Sequence, residues 1–125
     1  MNFLLDTHVV LWWLDDSDLL PDHYRLAIED QDNLCLVSSA SVWEISMKSA
    51  VGKLIIPDNY LELLREQGFE ELPVSWKHAD KISKLPMHHK DPFDRLLIAQ
   101  AMVEGLTLLS VDRIIPKYDV KIFTG

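Results

Sequence analysis

Short apolar or β-branched runs recur at residues 2–5, 34–38, 72–74, 106–111 and 121–123, and helical patterns fill the gaps between them. This alternation constrains the fold more than any other feature, because such runs are too short for independent helices but suit strands buried on both faces. Of the helical patterns, residues 21–31 place Tyr24, Ala27 and Ile28 on one face, and residues 59–67 carry Leu61, Leu63 and Leu64. Residues 92–104 are apolar nearly all round, which predicts a central, buried helix. Strands alternating with helices predict one α/β domain over residues 1–125: a central parallel sheet of about five strands, flanked by helices on both faces, with right-handed crossovers. Such folds bind ligands outside the carboxyl ends of their strands.

Composition narrows the class. With 48% hydrophobic and 26% charged residues, the chain matches ordinary globular proteins and excludes disordered or collagen-like ones. Its longest uncharged stretches, residues 7–14 and 34–43, fall well short of the ~20 apolar residues a membrane span needs. Asp6 interrupts the apolar start, so no secretory signal is expected, and the single Cys35 cannot form an internal disulfide. Both features point to a reducing, cytoplasmic setting. The net charge of −8 argues against broad electrostatic attraction to nucleic acid, unless the acids are gathered in one place.

Four acids stand where gathering is expected. Asp6 and Asp112 directly follow the first and fourth apolar runs and would project into one crevice, although each also suits a turn or cap. Glu44 lies in Ser41-Val42-Trp43-Glu44, which has the form of a capping box, yet helical spacing puts it on a stripe with Ala40, Met47 and Val51. A carboxylate on an apolar stripe should be paired or ligated. In Asp91-Pro92-Phe93-Asp94, Asp91 is expected to cap the helix, while Asp94 shares a face with Leu97, Ile98 and Ala101. Were the four to converge at ~5 Å, each pair would cost roughly 3 kcal/mol at an effective dielectric of ~20. Either protons are retained or a cation sits among them, and an all-oxygen site suits Mg²⁺ or Mn²⁺ rather than zinc.

These residues resemble a known family. Phe3-Leu4-Leu5-Asp6-Thr7-His8, Ser41-Val42-Trp43-Glu44-Ile45, the run from Asp91-Pro92-Phe93-Asp94-Arg95 to Ala101, and Leu109-Ser110-Val111-Asp112 are similar, in order and spacing, to the acidic motifs of PIN-domain nucleases. The resemblance spans essentially the whole chain and is nearest to the small VapC-type toxins of toxin-antitoxin pairs. It implies a Mg²⁺- or Mn²⁺-dependent endoribonuclease that hydrolyses RNA phosphodiesters with metal-activated water. Asp6, Glu44, Asp94 and Asp112 would form the acidic, metal-holding quartet, with Asp6 and Asp94 the most direct ligands. Thr7 and Ser110 would support them or simply cap strand ends. A homodimer and an antitoxin partner covering the crevice are implied as well.

Substrate phosphates need cations at the rim, and Lys48, Lys53, Arg95 and Arg113 lie near the acids in sequence. His88 and His89, just ahead of the key helix, raise metal-free histidine chemistry as a competitor. Adjacent loop residues generally point apart, which disfavours it. Trp12 and Trp13, adjacent on a predicted short helix, would face different directions, one inward and one at an interface, or both inward between different elements. Two other acidic α/β classes fit less well. A receiver-like signalling domain needs an acidic pair after the first strand, and a dehalogenase-type phosphatase needs Asp-x-Asp; here Thr7 and His8 follow Asp6. A silent PIN fold used only for binding would not require the intact quartet.

Overall fold

The computed structural model describes residues 1–125. Four parallel strands, β1 (Asn2–Leu5), β2 (Leu34–Ser38), β3 (Glu70–Leu72) and β4 (Thr107–Leu109), form one sheet in the order β3-β2-β1-β4. The helices are α1 (Thr7–Leu14), α2 (Asp22–Glu29), α3 (Ser39–Ala50), α4 (Tyr60–Glu66), α5 (Trp76–Lys81) and α6 (Pro92–Glu104), with 3₁₀ turns at Ile82–Lys84 and Ile115–Lys117. No helix is long and apolar enough to cross a membrane.

Side chains alternate across the strands, and the two faces of the sheet build separate cores. Phe3 and Leu5 of β1 join Leu109, Val9, Val10, Tyr24, Ile45 and Leu64 on one side. Leu4 joins Leu108, Leu97, Ile98, Ala101 and Ile115 on the other. Helix α6 is buried from Arg95 to Ala101, as its all-round apolar sequence predicts. Gly105 ends it in the left-handed conformation (φ 67°) that a side chain would disfavour. Trp12 and Trp13 are both partly buried and pack on the first core, and Trp13 Nε1 also donates to Gln67.

Three strand expectations shift, each for a local reason. Residues 72–74 do not form the third strand: β3 stops at Leu72 because Pro73 has no N–H to continue a ladder, and it begins instead at Glu70. Its exposed Glu70 and Glu71 suit a sheet edge, where charge discourages pairing with other chains. The fourth strand is shorter than 106–111. Leu106 N–H still bonds to Ala101 O of the preceding helix, and Ser110 N–H bonds to the Tyr24 hydroxyl rather than to a strand. Of the fifth run, 121–123, only Ile122 forms an isolated parallel bridge, to Leu108.

The strand order sets where a ligand belongs. From β1 the chain steps to β2 and β3, then returns to place β4 on the other side of β1. The crevice between the carboxyl ends of β1 and β4 is therefore a topological switch point.

Leu97 is fully buried, whereas Ile55 is 99% exposed. Leu97→Ala is expected to lower unfolding free energy by about 2–5 kcal/mol in urea titrations, and Ile55→Ala to change it by no more than about 0.5 kcal/mol.

Candidate active site

At that crevice the acids serve the backbone and face one another. Asp6 caps α1, accepting from Val9 N–H at 2.9 Å, and is buried. Asp112 Oδ1 accepts from Ile114 N–H at 2.7 Å and Ile115 N–H at 3.3 Å, which leaves Oδ2 for the crevice. Asp91 caps α6 as expected: its Oδ1 accepts from Phe93 N–H at 2.8 Å and Asp94 N–H at 3.2 Å, with Pro92 at the first helical position. The capped start of α6 thus presents Asp94 toward Asp6 and Asp112.

The charges register this proximity. Burial pushes Asp94 up to about 6, and the negative charges of Asp91, Asp112 and Asp6 add to it against the opposing pull of His89. Burial likewise raises Asp6, opposed by hydrogen bonds from the Ser110 side chain and Val9 N–H. For Asp112, burial is outweighed by the hydrogen bond from His89 and those from Ile114 and Ile115 N–H, which hold its carboxyl below its ordinary value.

The structure brings in a residue absent from the sequence-derived quartet. His89 Nε2 lies 2.9 Å from Asp112 Oδ2 and 3.1 Å from Asp94 Oδ2. The donor atoms of His89, Asp94 and Asp112 all fall within 4.8 Å of one another. Its neighbour His88 turns away, with its ring edge-on to Tyr118. His89 Nδ1 accepts from Asp91 N–H at 3.3 Å, which ties the ring to the start of α6, a contact that the sequence does not announce.

Glu44 is placed differently. The cap of α3 is Ser38, whose Oγ accepts from Ala40 N–H at 3.0 Å, so Ser41 to Glu44 is not a capping box. The expected apolar stripe is buried only at Ala40; Met47 and Val51 are exposed. Glu44 itself is buried and paired, its Oε2 accepting from Lys48 Nζ at 2.7 Å, and it stands outside the His89, Asp94 and Asp112 cluster. One turn earlier, Ser41 Oγ accepts from Thr7 Oγ1 at 3.0 Å, joining α3 to the start of α1. Ser110 also has two roles, bonding Asp6 and accepting from Asp112 N–H at 3.2 Å.

Arg95 requires a correction. Its place after Asp94 in the sequence predicts a phosphate contact at the rim, but it is buried, and its guanidinium donates to the carbonyls of Ile82, Leu85, Pro86 and His89 and to the Tyr118 hydroxyl. Those donors organise the loop that carries His89 and are not free for a substrate. Lys53 and Arg113 are exposed, and Lys48 is partly exposed beside Glu44.

Two carboxylates clustered with one imidazole, and Asp6 outside that cluster but near enough for its charge to act on Asp94, make an oxygen-rich site short of positive charge, and that donor set fits a hard divalent ion such as Mg²⁺ or Mn²⁺. A parallel α/β sheet with such a cluster at its switch point defines an acidic-site α/β domain. Residues 3–121 match the PIN domain profile, and the chain belongs to that family. Solved structures agree on the fold. VapBC2 from Rickettsia felis, bound to a DNA fragment from its promoter, is 18% identical with a TM-score of 0.71, over 98% of this chain and 96% of that one. DNA-bound VapBC from Salmonella typhimurium is 17% identical with a TM-score of 0.73, over 98% and 97%. FitAcB from Neisseria gonorrhoeae is 19% identical with a TM-score of 0.64, over 98% and 96%. No curated protein matches the chain by sequence.

Because the folded protein resists ionising Asp94, its stability falls as pH rises from 3.8 to about 6. Asp94→Asn is therefore expected to raise the unfolding free energy of the metal-free protein at pH 7 by on the order of 1–2 kcal/mol, after allowance for solvent screening. Thermal melts at pH 4 and pH 7 check the sign: the gain should appear only at the higher pH.

Proposed function

We propose that this protein is a Mg²⁺- or Mn²⁺-dependent endoribonuclease acting as the toxin of a toxin-antitoxin pair. The observation that carries the proposal is the meeting of Asp6, Asp94 and Asp112 at the switch point, where capping holds them together against their repulsion. Family membership and the VapBC and FitAcB neighbours support it.

In this reading Asp6, Asp94 and Asp112 would hold the ion, and Glu44 would extend the acidic wall from α3. When bound, the ion supplies charge neutralisation at the scissile phosphate and acidifies a water for in-line attack. The chain's own residues do the rest. The carboxylates are ligands, not nucleophiles. Lys48 and the exposed Arg113 supply positive charge for substrate phosphates, and Lys48 also neutralises Glu44. Product ends would be 5′-phosphate and 3′-hydroxyl.

A homodimer and an antitoxin belong to the same proposal. The neighbouring structures are complexes, and α3 exposes Trp43, Met47 and Val51 beside the acidic wall, an apolar face suited to protein contact. An acidic crevice would favour a basic side chain from the antitoxin.

Purified, partner-free protein incubated with single-stranded and structured RNA, and with DNA as control, should cut RNA with Mg²⁺ or Mn²⁺ and fail in EDTA. Asp6→Asn and Asp94→Asn should each reduce cleavage at least about 100-fold while circular dichroism stays native. Arg113→Ala should raise KM with little change in kcat. Full activity in both Asn variants, or in EDTA, would contradict the assignment.

A further inference from the structure

His89 is the only non-carboxylate donor in the crevice cluster, and its hydrogen bonds specify which nitrogen carries the proton. Nδ1 accepts from Asp91 N–H at 3.3 Å, so the proton sits on Nε2 and points at Asp112 Oδ2 and Asp94 Oδ2. A metal-ligating histidine shows the reverse arrangement, with a bare nitrogen toward the ion and the other N–H donated to a carboxylate or carbonyl. Here the second nitrogen faces a donor. The ring is also held in a built setting. The Tyr118 hydroxyl accepts from the backbone N–H of His88 at 3.1 Å and of His89 at 2.8 Å, while Arg95 donates to that hydroxyl and to His89 O.

The geometry points to His89 as an internal stand-in for the divalent cation: its Nε2–H bridges Asp94 and Asp112 in the metal-free protein, and the ion enters by displacing it rather than by binding it. The bridge offsets carboxylate repulsion until the ion arrives, so the protein keeps a formed site without metal. The same bridge competes for the two oxygens the ion needs. This inference rests on the divalent-cation reading of the site and adds to it a residue that opposes loading.

The two candidate roles predict opposite signs. Mn²⁺ alone is titrated into the full chain, and binding is read from its electron paramagnetic resonance signal. Pulsed spectra of the bound ion report any ¹⁴N coupling, and calorimetry gives the Tm of the metal-free protein. For His89→Ala, Mn²⁺ should bind about tenfold tighter, as expected for removing a hydrogen bond to a charged group. Its metal-free Tm should fall by about 4 °C as the repulsion is uncovered. His89→Gln, which keeps an N–H donor of similar reach, should lie between Ala and wild type, and wild type should show no ¹⁴N coupling. Directly bound ¹⁴N with weaker binding in His89→Ala would make His89 a ligand and overturn the inference while leaving the cation reading intact. Lower Tm together with weaker or unchanged Mn²⁺ binding and no ¹⁴N coupling would reduce His89 to a packing role. Failure of every variant, wild type included, to bind Mn²⁺ would overturn both the inference and the cation reading.

Discussion

Asp6, Asp94 and Asp112 repel one another across the crevice, and the fold keeps them there because the backbone needs what they or their neighbours provide. Asp6 closes the first turn of α1, Asp112 closes the turn into Ile114 and Ile115, and Asp91 fixes the start of α6 so that Asp94 faces inward. Each cap contributes about 1 kcal/mol, which offsets only part of the roughly 3 kcal/mol that a carboxylate pair at ~5 Å costs at an effective dielectric of ~20. The rest is met by the raised Asp94 carboxyl and by the His89 contact with Asp112, and on the proposed reading a cation would relieve it further.

The surrounding polar contacts serve that crevice. Tyr24, reaching from α2, donates its hydroxyl proton to Ser110 O at 2.7 Å and accepts from Ser110 N–H, clamping the end of β4. Ser38 both caps α3 and donates to Gln100 Oε1 of α6 at 2.5 Å, which ties the helix bearing Glu44 to the helix bearing Asp94. Gln100 in turn approaches His78 Nδ1, whose other nitrogen meets Glu104 at 2.9 Å. Every buried side-chain nitrogen and oxygen in the protein has a partner. Such satisfied networks specify one packing where an apolar core alone would tolerate several.

Much of this was legible in the sequence because local rules and tertiary demands agree. Pro92 after Asp91, Gly105 at the far end and apolar residues between them define α6 at both ends. The acids following β1 and β4 announce the crevice because a parallel sheet leaves little choice of where strand ends point. What escaped depends on contacts between distant segments. Arg95 follows Asp94 and reads as a rim cation, yet the residue after an inward-facing one on a helix can be turned into the protein, where loop carbonyls and the Tyr118 hydroxyl take both of its terminal nitrogens. Ser41 has the letters of a capping box, but Ser38 ends β2 and caps α3 first. His89 is invisible to spacing arguments because its neighbour is also a histidine, and only the loop held by Arg95 and Tyr118 decides which ring turns inward.

On the proposed reading, part of the acid surplus that argues against a nucleic-acid partner becomes the seat of a cation. The most direct test is anomalous scattering from a crystal soaked in Mn²⁺, with data collected at the manganese absorption edge. The account predicts a single strong peak bounded by the carboxylates of Asp94 and Asp112, with Asp6 beside it and the His89 ring moved off their oxygens. Manganese peaks confined to surface carboxylates, with the crevice bare and the His89 bridge intact, would contradict it.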